Sequence, residues 1–134
     1  MSRIEVLLWV AGLLQLGIAA ANLLLPRILR YRENLARMSP MVREIFLVHS
    51  GYIVLVLIAF GTMGLLFAPD LAGGSRLGRF LSAFLALFWL LRIPVQLGYD
   101  PAVRRKYRLF DVAFLVALLY LGGTYLLAAL EVWR

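Results

Sequence analysis

The sequence predicts an all-α integral membrane protein, a single domain over residues 1–134 in which four transmembrane helices form a bundle, and three observations predict it. Hydrophobic residues make up 63% of the chain, well above the roughly 45 to 50% of ordinary soluble domains. They are gathered into four runs, each close to the about 20 residues that a helix needs to cross a bilayer. The charge is also sorted. Lys and Arg number 14 against 7 Asp and Glu, a net +7, and most of the basic residues fall in two connections.

The first run is 4–25, interrupted by Glu5 at its start and by Gln15 and Asn22. At about 1.5 Å per residue it spans the hydrocarbon core. It exceeds the 7 to 15 residues of a signal-peptide h-region, so it is expected to be retained although Ala19, Ala20 and Ala21 offer small residues to a peptidase. Pro26 then opens a basic stretch with Arg27, Arg30, Arg32, Arg37 and Arg43. Ser39-Pro40 sets up a helix start, an N-cap followed by proline at the first helical position.

The second span covers 45–67 and ends in a short turn rich in breakers: Pro69, Asp70, Gly73, Gly74 and Ser75. The third covers 77–97 and carries Pro94 near its end, where the missing N–H and the ring should kink the helix and free the Leu90 carbonyl. Asp100-Pro101 repeats the cap-plus-proline signal. The last helix passes through Arg104, Arg105, Lys106 and Arg108 into a span over 109–130.

Segments 39–43 and 100–104 share the order polar, Pro, any, Val, Arg. This hints at two duplicated helical hairpins, related as the parallel repeats of some transporters are.

Orientation follows from the basic connections after the first and third spans, because short cytoplasmic loops carry the excess of Lys and Arg. Both termini are then outside. Lys106 is the single lysine among 14 basic residues, an arginine bias that suggests a GC-rich genome and hence a bacterial cytoplasmic (inner) membrane. The net charge does not imply nucleic acid as a partner. It is accounted for by topology and by anionic headgroups at the basic loops.

With Cys 0 and His 1, the chain has no disulfide, no thiolate metal site, no bis-histidine haem and no multi-ligand zinc or di-iron site of its own. No phosphate-binding loop, metalloprotease helix or serine elbow occurs. The sequence assigns no catalytic residue, no metal and no cofactor.

Depth is the informative feature. Asn22, His49, Arg92 and Asp111 fall within roughly 3 to 8 Å of one membrane face, so each of the four spans brings a polar group to the same leaflet. Ser50, Tyr52 and Gln96 lie at similar depth, and Trp89, Arg92 and Gln96 share one stripe of the third helix. Ionisable groups inside a span usually face the bundle interior and mark function.

The candidate ligand-binding set is therefore His49, Arg92, Asp111, Gln96, Tyr52 and Asn22. In a cytoplasm-facing pocket Arg92 would hold an anion with its planar fork, His49 would exchange a proton, and Asp111 would pair with one of them. Against this stands a structural reading, in which Arg92 snorkels to the headgroups, Asp111 sits at the interface and His49 bonds a neighbouring helix.

Gly12, Gly17, Gly61, Gly64, Gly122 and Gly123 mark close helix packing, because association in lipid depends on backbone approach. Trp9, Trp133, Tyr31, Tyr99 and Tyr107 lie near span ends and read as interfacial belt residues.

The plan of four spans, outside termini and basic cytoplasmic loops resembles, in architecture, the membrane-associated eicosanoid and glutathione metabolism family. That family carries an Arg-x-x-x-Asn-x-x-Glu pattern at the head of its second helix, which helps hold glutathione. Here Arg43 is followed at those offsets by Leu47 and Ser50, so the resemblance implies the four-helix plan and not the glutathione site.

Three functions remain in view. The leading one is a non-catalytic accessory or assembly subunit of a larger membrane complex, or a homo-oligomer. Its partners would be lipids and other membrane subunits or itself. The alternative is an enzyme or binder of an amphipathic anionic or lipid-like ligand in the cytoplasm-facing pocket. A small transporter comes last, since a polar pathway needs groups across the whole depth and the outer half offers little beyond Gln15, Thr62, Tyr120, Thr124 and Tyr125.

Overall fold

A computed structural model describes residues 2–130. Trp133, named above as a belt residue, lies outside the described residues. The described chain is helical with no strand, and four of its helices are long and apolar enough to cross a membrane.

The first, α1 (Arg3–Ile28), starts with a capping box: Ser2 Oγ accepts from the Glu5 backbone N–H at 3.2 Å, and Glu5 accepts in return from the Ser2 N–H. It runs past Leu25 and carries Pro26 inside its last turn. The basic stretch then folds into a short helix, α2 (Tyr31–Leu35), entered through Arg30 in the left-handed region with φ 52°. Such a conformation costs a non-glycine residue about 1–2 kcal/mol. Burial of Leu35 and an edge-on contact of Tyr31 with Phe46, centroids 5.4 Å apart, hold the segment down.

The second long helix, α3 (Pro40–Leu66), has proline in its first turn as the sequence predicts, but the Ser39 side chain makes no capping bond. Asp100 does cap: its carboxylate accepts from the Ala102 N–H at 2.8 Å. The breaker-rich turn after α3 is more than a turn. It forms α4 (Ala68–Ala72), which buries Ala68 and Leu71 under the end of the bundle. Gly74 then reverses the chain at φ 79°, a conformation open to glycine without steric cost.

The third long helix, α5 (Arg76–Leu97), continues through Pro94 to its Gly98 cap. The last helix is interrupted where the sequence suggests continuity. Tyr107, with ψ 39°, separates α6 (Pro101–Lys106) from α7 (Arg108–Leu130).

Packing is paired. α1 lies chiefly against α3 and α5 against α7, while α1 also touches α7, and α4 bridges the two pairs at the end away from the basic loops. In the first pair Gly12 faces Gly61 and Gly64, and Leu16 faces Gly61, so the helices are antiparallel. A β-carbon on Gly64 would stand 2.8 Å from Gly12 Cα. Only glycine permits that approach. In the second pair Leu90 packs over Gly122, and Gln96 meets Asp111. The core between the pairs is built by Leu8, Ala11, Leu85, Leu118, Leu121 and Tyr125.

Candidate functional site

Two polar clusters organise the bundle, and the residues singled out from the sequence divide between them and the outer surface. The deeper cluster centres on Gln15, which is fully buried in α1. Its Oε1 accepts from the Trp89 indole N–H of α5 at 3.0 Å. Its Nε2 donates to the Tyr125 hydroxyl of α7 at 2.7 Å, to the Ala11 carbonyl at 3.1 Å and, at 3.5 Å, toward the Phe60 carbonyl of α3. One amide therefore ties all four long helices. Its acceptor and donor are both used, which is the condition under which a buried polar group stabilises rather than costs.

Nearby, Tyr120 donates to the Leu7 carbonyl at 3.0 Å and Ser82 to the Leu71 carbonyl at 3.3 Å. The sequence reading left Gln15 and Tyr125 outside the candidate site.

The second cluster lies at the basic end. Asp111, buried at the start of α7, accepts from Gln96 Nε2 of α5 at 2.8 Å. Arg104 of α6 grips the same carboxylate with two prongs, Nε to Oδ1 at 3.2 Å and Nη2 to Oδ2 at 3.1 Å. This side-on fork is the favourable arginine–carboxylate geometry. The expected pairing of Asp111 with Arg92 or His49 is thus replaced by a pairing with Arg104, a residue read from the sequence only as loop charge. Seven residues would be two turns of a continuous helix and place 104 and 111 on one side; here the pair closes across the break at Tyr107.

Arg92 stands apart from that pair. Its Nη2 donates to the Tyr99 hydroxyl at 3.0 Å, and its guanidinium carbon lies 5.4 Å from the Tyr99 ring centroid and 5.3 Å from that of Phe114. The Nη1 atom is buried and has no hydrogen-bond partner.

His49 and Tyr52 are elsewhere. Both are exposed on α3. His49 Nδ1 lies 2.8 Å from the Ile45 carbonyl; a carbonyl can only accept, so Nδ1 donates. Asn22 donates to the Ile18 carbonyl of its own helix at 2.8 Å, and Ser50 to the Phe46 carbonyl at 2.8 Å.

Of the six candidates, then, only Gln96 and Asp111 bond one another. Similar depth does not bring the six into one bonded cluster. Two grooves are recorded, of about 630 and about 580 Å³, the first between α1 and α7 and the second between α3, α4 and α5; neither is lined by any of the six. Among the described residues no group of three or more acidic or histidine side chains is placed to hold a metal ion.

No protein-family model matches the chain, and no curated protein or solved structure matches it either.

Proposed function

We propose that this chain is a non-catalytic membrane protein that crosses the bacterial inner membrane four times, with its basic end in the cytoplasm, and acts as an accessory or assembly subunit or as a homo-oligomer. The membrane placement is supported by the four long apolar helices and by the basic residues gathered at one end.

The assembly role is carried by one observation, the state of α3. In its most apolar window 17% of the helix is buried, against 28–33% in the other three, and its exposed face carries His49 and Tyr52. A polar ring on an otherwise apolar face is better placed against a second helix that bonds its remaining nitrogen than against lipid chains. A helix of another subunit, or of a second copy, would supply that partner and cover the face. The bonds within the bundle favour the same role: Gln15 and Asp111 are spent on holding helices together, as structural groups are, rather than left open to a substrate.

The test is purification from the native membrane in a gentle detergent, with a photocrosslinking residue at Tyr52 and, separately, at Leu119, which is exposed on α7. The expected result is a stoichiometric protein adduct from position 52 and little from 119. A monomer that gives no adduct from position 52 and carries a stoichiometric small molecule would overturn the assembly role.

A further inference from the structure

We propose that Arg92, Tyr99 and Phe114 form a binding site for the phosphate group of an anionic phospholipid headgroup at the cytoplasmic leaflet. The proposal goes beyond the assembly role and does not depend on it; it rests on the membrane placement alone.

The first ground is an unmet charge. Arg92 Nη1 is buried without a partner, and a buried cationic donor left unpaired is among the costliest polar states in a protein. Its one hydrogen bond, through Nη2, goes to a neutral phenol. The carboxylate that could have neutralised it, Asp111, is occupied by Arg104 and Gln96. Among the described residues Arg92 makes no ion pair.

The second ground is a second donor beside it. The Tyr99 hydroxyl accepts from Arg92 and keeps its own hydrogen, because a phenol both accepts and donates. Nη1 and the Tyr99 O–H together offer two donors to two oxygens of one anion. A guanidinium fork matches phosphate in this way.

The third ground is what surrounds the charge. Leu91, Val95 and Phe110 are all more than half exposed, and Phe110 stacks on Phe114 with planes 9° apart. The ligand must therefore present an anion to Arg92 and apolar chain to its neighbours. A phospholipid does both, and a soluble phosphate does only the first. The basic run Arg104, Arg105, Lys106 and Arg108 in the adjoining segment adds attraction for an anionic headgroup, about fivefold in affinity per positive charge near the surface. Tyr99 follows the Gly98 cap of α5 and is itself exposed, so the Arg92–Tyr99 pair lies at the surface of the bundle.

The experiment is native mass spectrometry of the detergent-purified full chain with equal amounts of dioleoyl phosphatidylglycerol and dioleoyl phosphatidylcholine, and separately with sn-glycerol 3-phosphate. Wild type is expected to retain one phosphatidylglycerol at least about fivefold over phosphatidylcholine, and to bind no glycerol phosphate. Arg92→Met should lower the preference about fivefold. Arg92→Lys, which keeps the charge without the fork, should retain part of it, and Tyr99→Phe should weaken it. Arg3→Gln, at the opposite end, should leave it unchanged.

Equal retention of the two lipids by wild type, or an undiminished preference in Arg92→Met, overturns the proposal. So does binding of glycerol phosphate without the lipid, since the source is then soluble. If Arg92→Met loses its cooperative tryptophan unfolding transition, Arg92→Lys is read instead, and a preference equal to wild type in it together with Tyr99→Phe overturns the site. Resistance of the wild-type chain to alkaline carbonate extraction is scored separately, so failure of the membrane placement is distinguished from failure of the site.

Discussion

The two helix pairs solve the same problem with different contacts. Each is antiparallel and each begins its return with a proline, at Pro40 and at Pro101. In α1–α3 Leu16 packs over Gly61, but at Gly12 and Gly64 the contact is backbone on backbone: a β-carbon on Gly64 would meet Gly12 Cα at 2.8 Å and the Leu8 carbonyl at 2.9 Å, and one on Gly12 would meet the Gly61 carbonyl at 2.8 Å. In α5–α7 the contact is made by side chains, with Leu90 over Gly122 at one level and the Arg104–Asp111–Gln96 cluster at another. A backbone contact has no rotamer through which to yield, whereas a leucine has several. The first pair should therefore be the brittle half of the molecule and the second the tolerant one.

Gly64→Ala tests the brittle half and carries the largest expected effect. Alanine should gain up to about 1 kcal/mol of helix propensity over glycine. The clash with α1 backbone cannot be relieved without parting the helices, and overpacking of this kind costs about 1–3 kcal/mol and at times more. A net loss of about 2 kcal/mol is expected, measured by denaturant unfolding in detergent with the buried Trp89 as reporter. An unchanged midpoint would mean that the α1–α3 contact is looser than the glycine geometry requires.

Gln15→Leu comes next, because Gln15 joins the two pairs. Leucine fills the volume but leaves the Trp89 indole N–H and the Tyr125 hydroxyl without the partners they now have. Unsatisfied buried groups cost about 1–3 kcal/mol, and hydrogen bonds between membrane helices are measured toward the low end. A loss of about 1–2 kcal/mol is expected by the same titration. Adding Trp89→Phe and Tyr125→Phe to it, with unfolding followed by far-ultraviolet circular dichroism because the Trp89 reporter is gone, should recover part of the loss, since removing all partners together is less costly than removing one.

What the sequence shows and what it hides both follow from how uniformly apolar the four long helices are. Helix number, helix ends and the glycine faces were legible, because length, proline and small residues act locally; α4 and the break at Tyr107 were not. The facing of polar groups was not legible either. In a soluble helix the apolar stripe marks the inside, but here both faces of every span are apolar, so depth can be counted and direction cannot. His49 and Asp111 stand at similar depth, yet one is exposed on α3 and the other buried at α7. Gln15 shows the same gap from the other side: its partners lie 45, 74 and 110 residues away, and no local spacing announces them.

Arg104→Gln probes the ionic part of the tolerant pair. Asp111 keeps its bond from Gln96, and Arg104 is partly exposed, so the expected loss is smaller than for Gln15→Leu. Salt identifies its origin, since mobile ions screen an accessible pair. The wild-type midpoint should fall as sodium chloride is raised, and the Arg104→Gln midpoint should move less. Parallel salt curves would mean that Arg104 contributes by packing alone.

Gly122→Ala should have the smallest effect of all and is the matched partner of Gly64→Ala. The added β-carbon meets the Leu90 side chain rather than backbone, its nearest atoms being Leu90 Cδ2 and Cγ. Leucine can shift its χ angles by about 30° off a rotamer at a cost of about 0.5–1.5 kcal/mol, and the helix gains up to about 1 kcal/mol when alanine replaces glycine. The two terms nearly cancel, so the midpoint should stay within about 0.5 kcal/mol of wild type. The same substitution would then differ by more than tenfold in unfolding equilibrium between the two pairs. If Gly122→Ala proved as damaging as Gly64→Ala, the α5–α7 contact would be as rigid as the glycine contact, and the distinction between a backbone joint and a side-chain joint would fail.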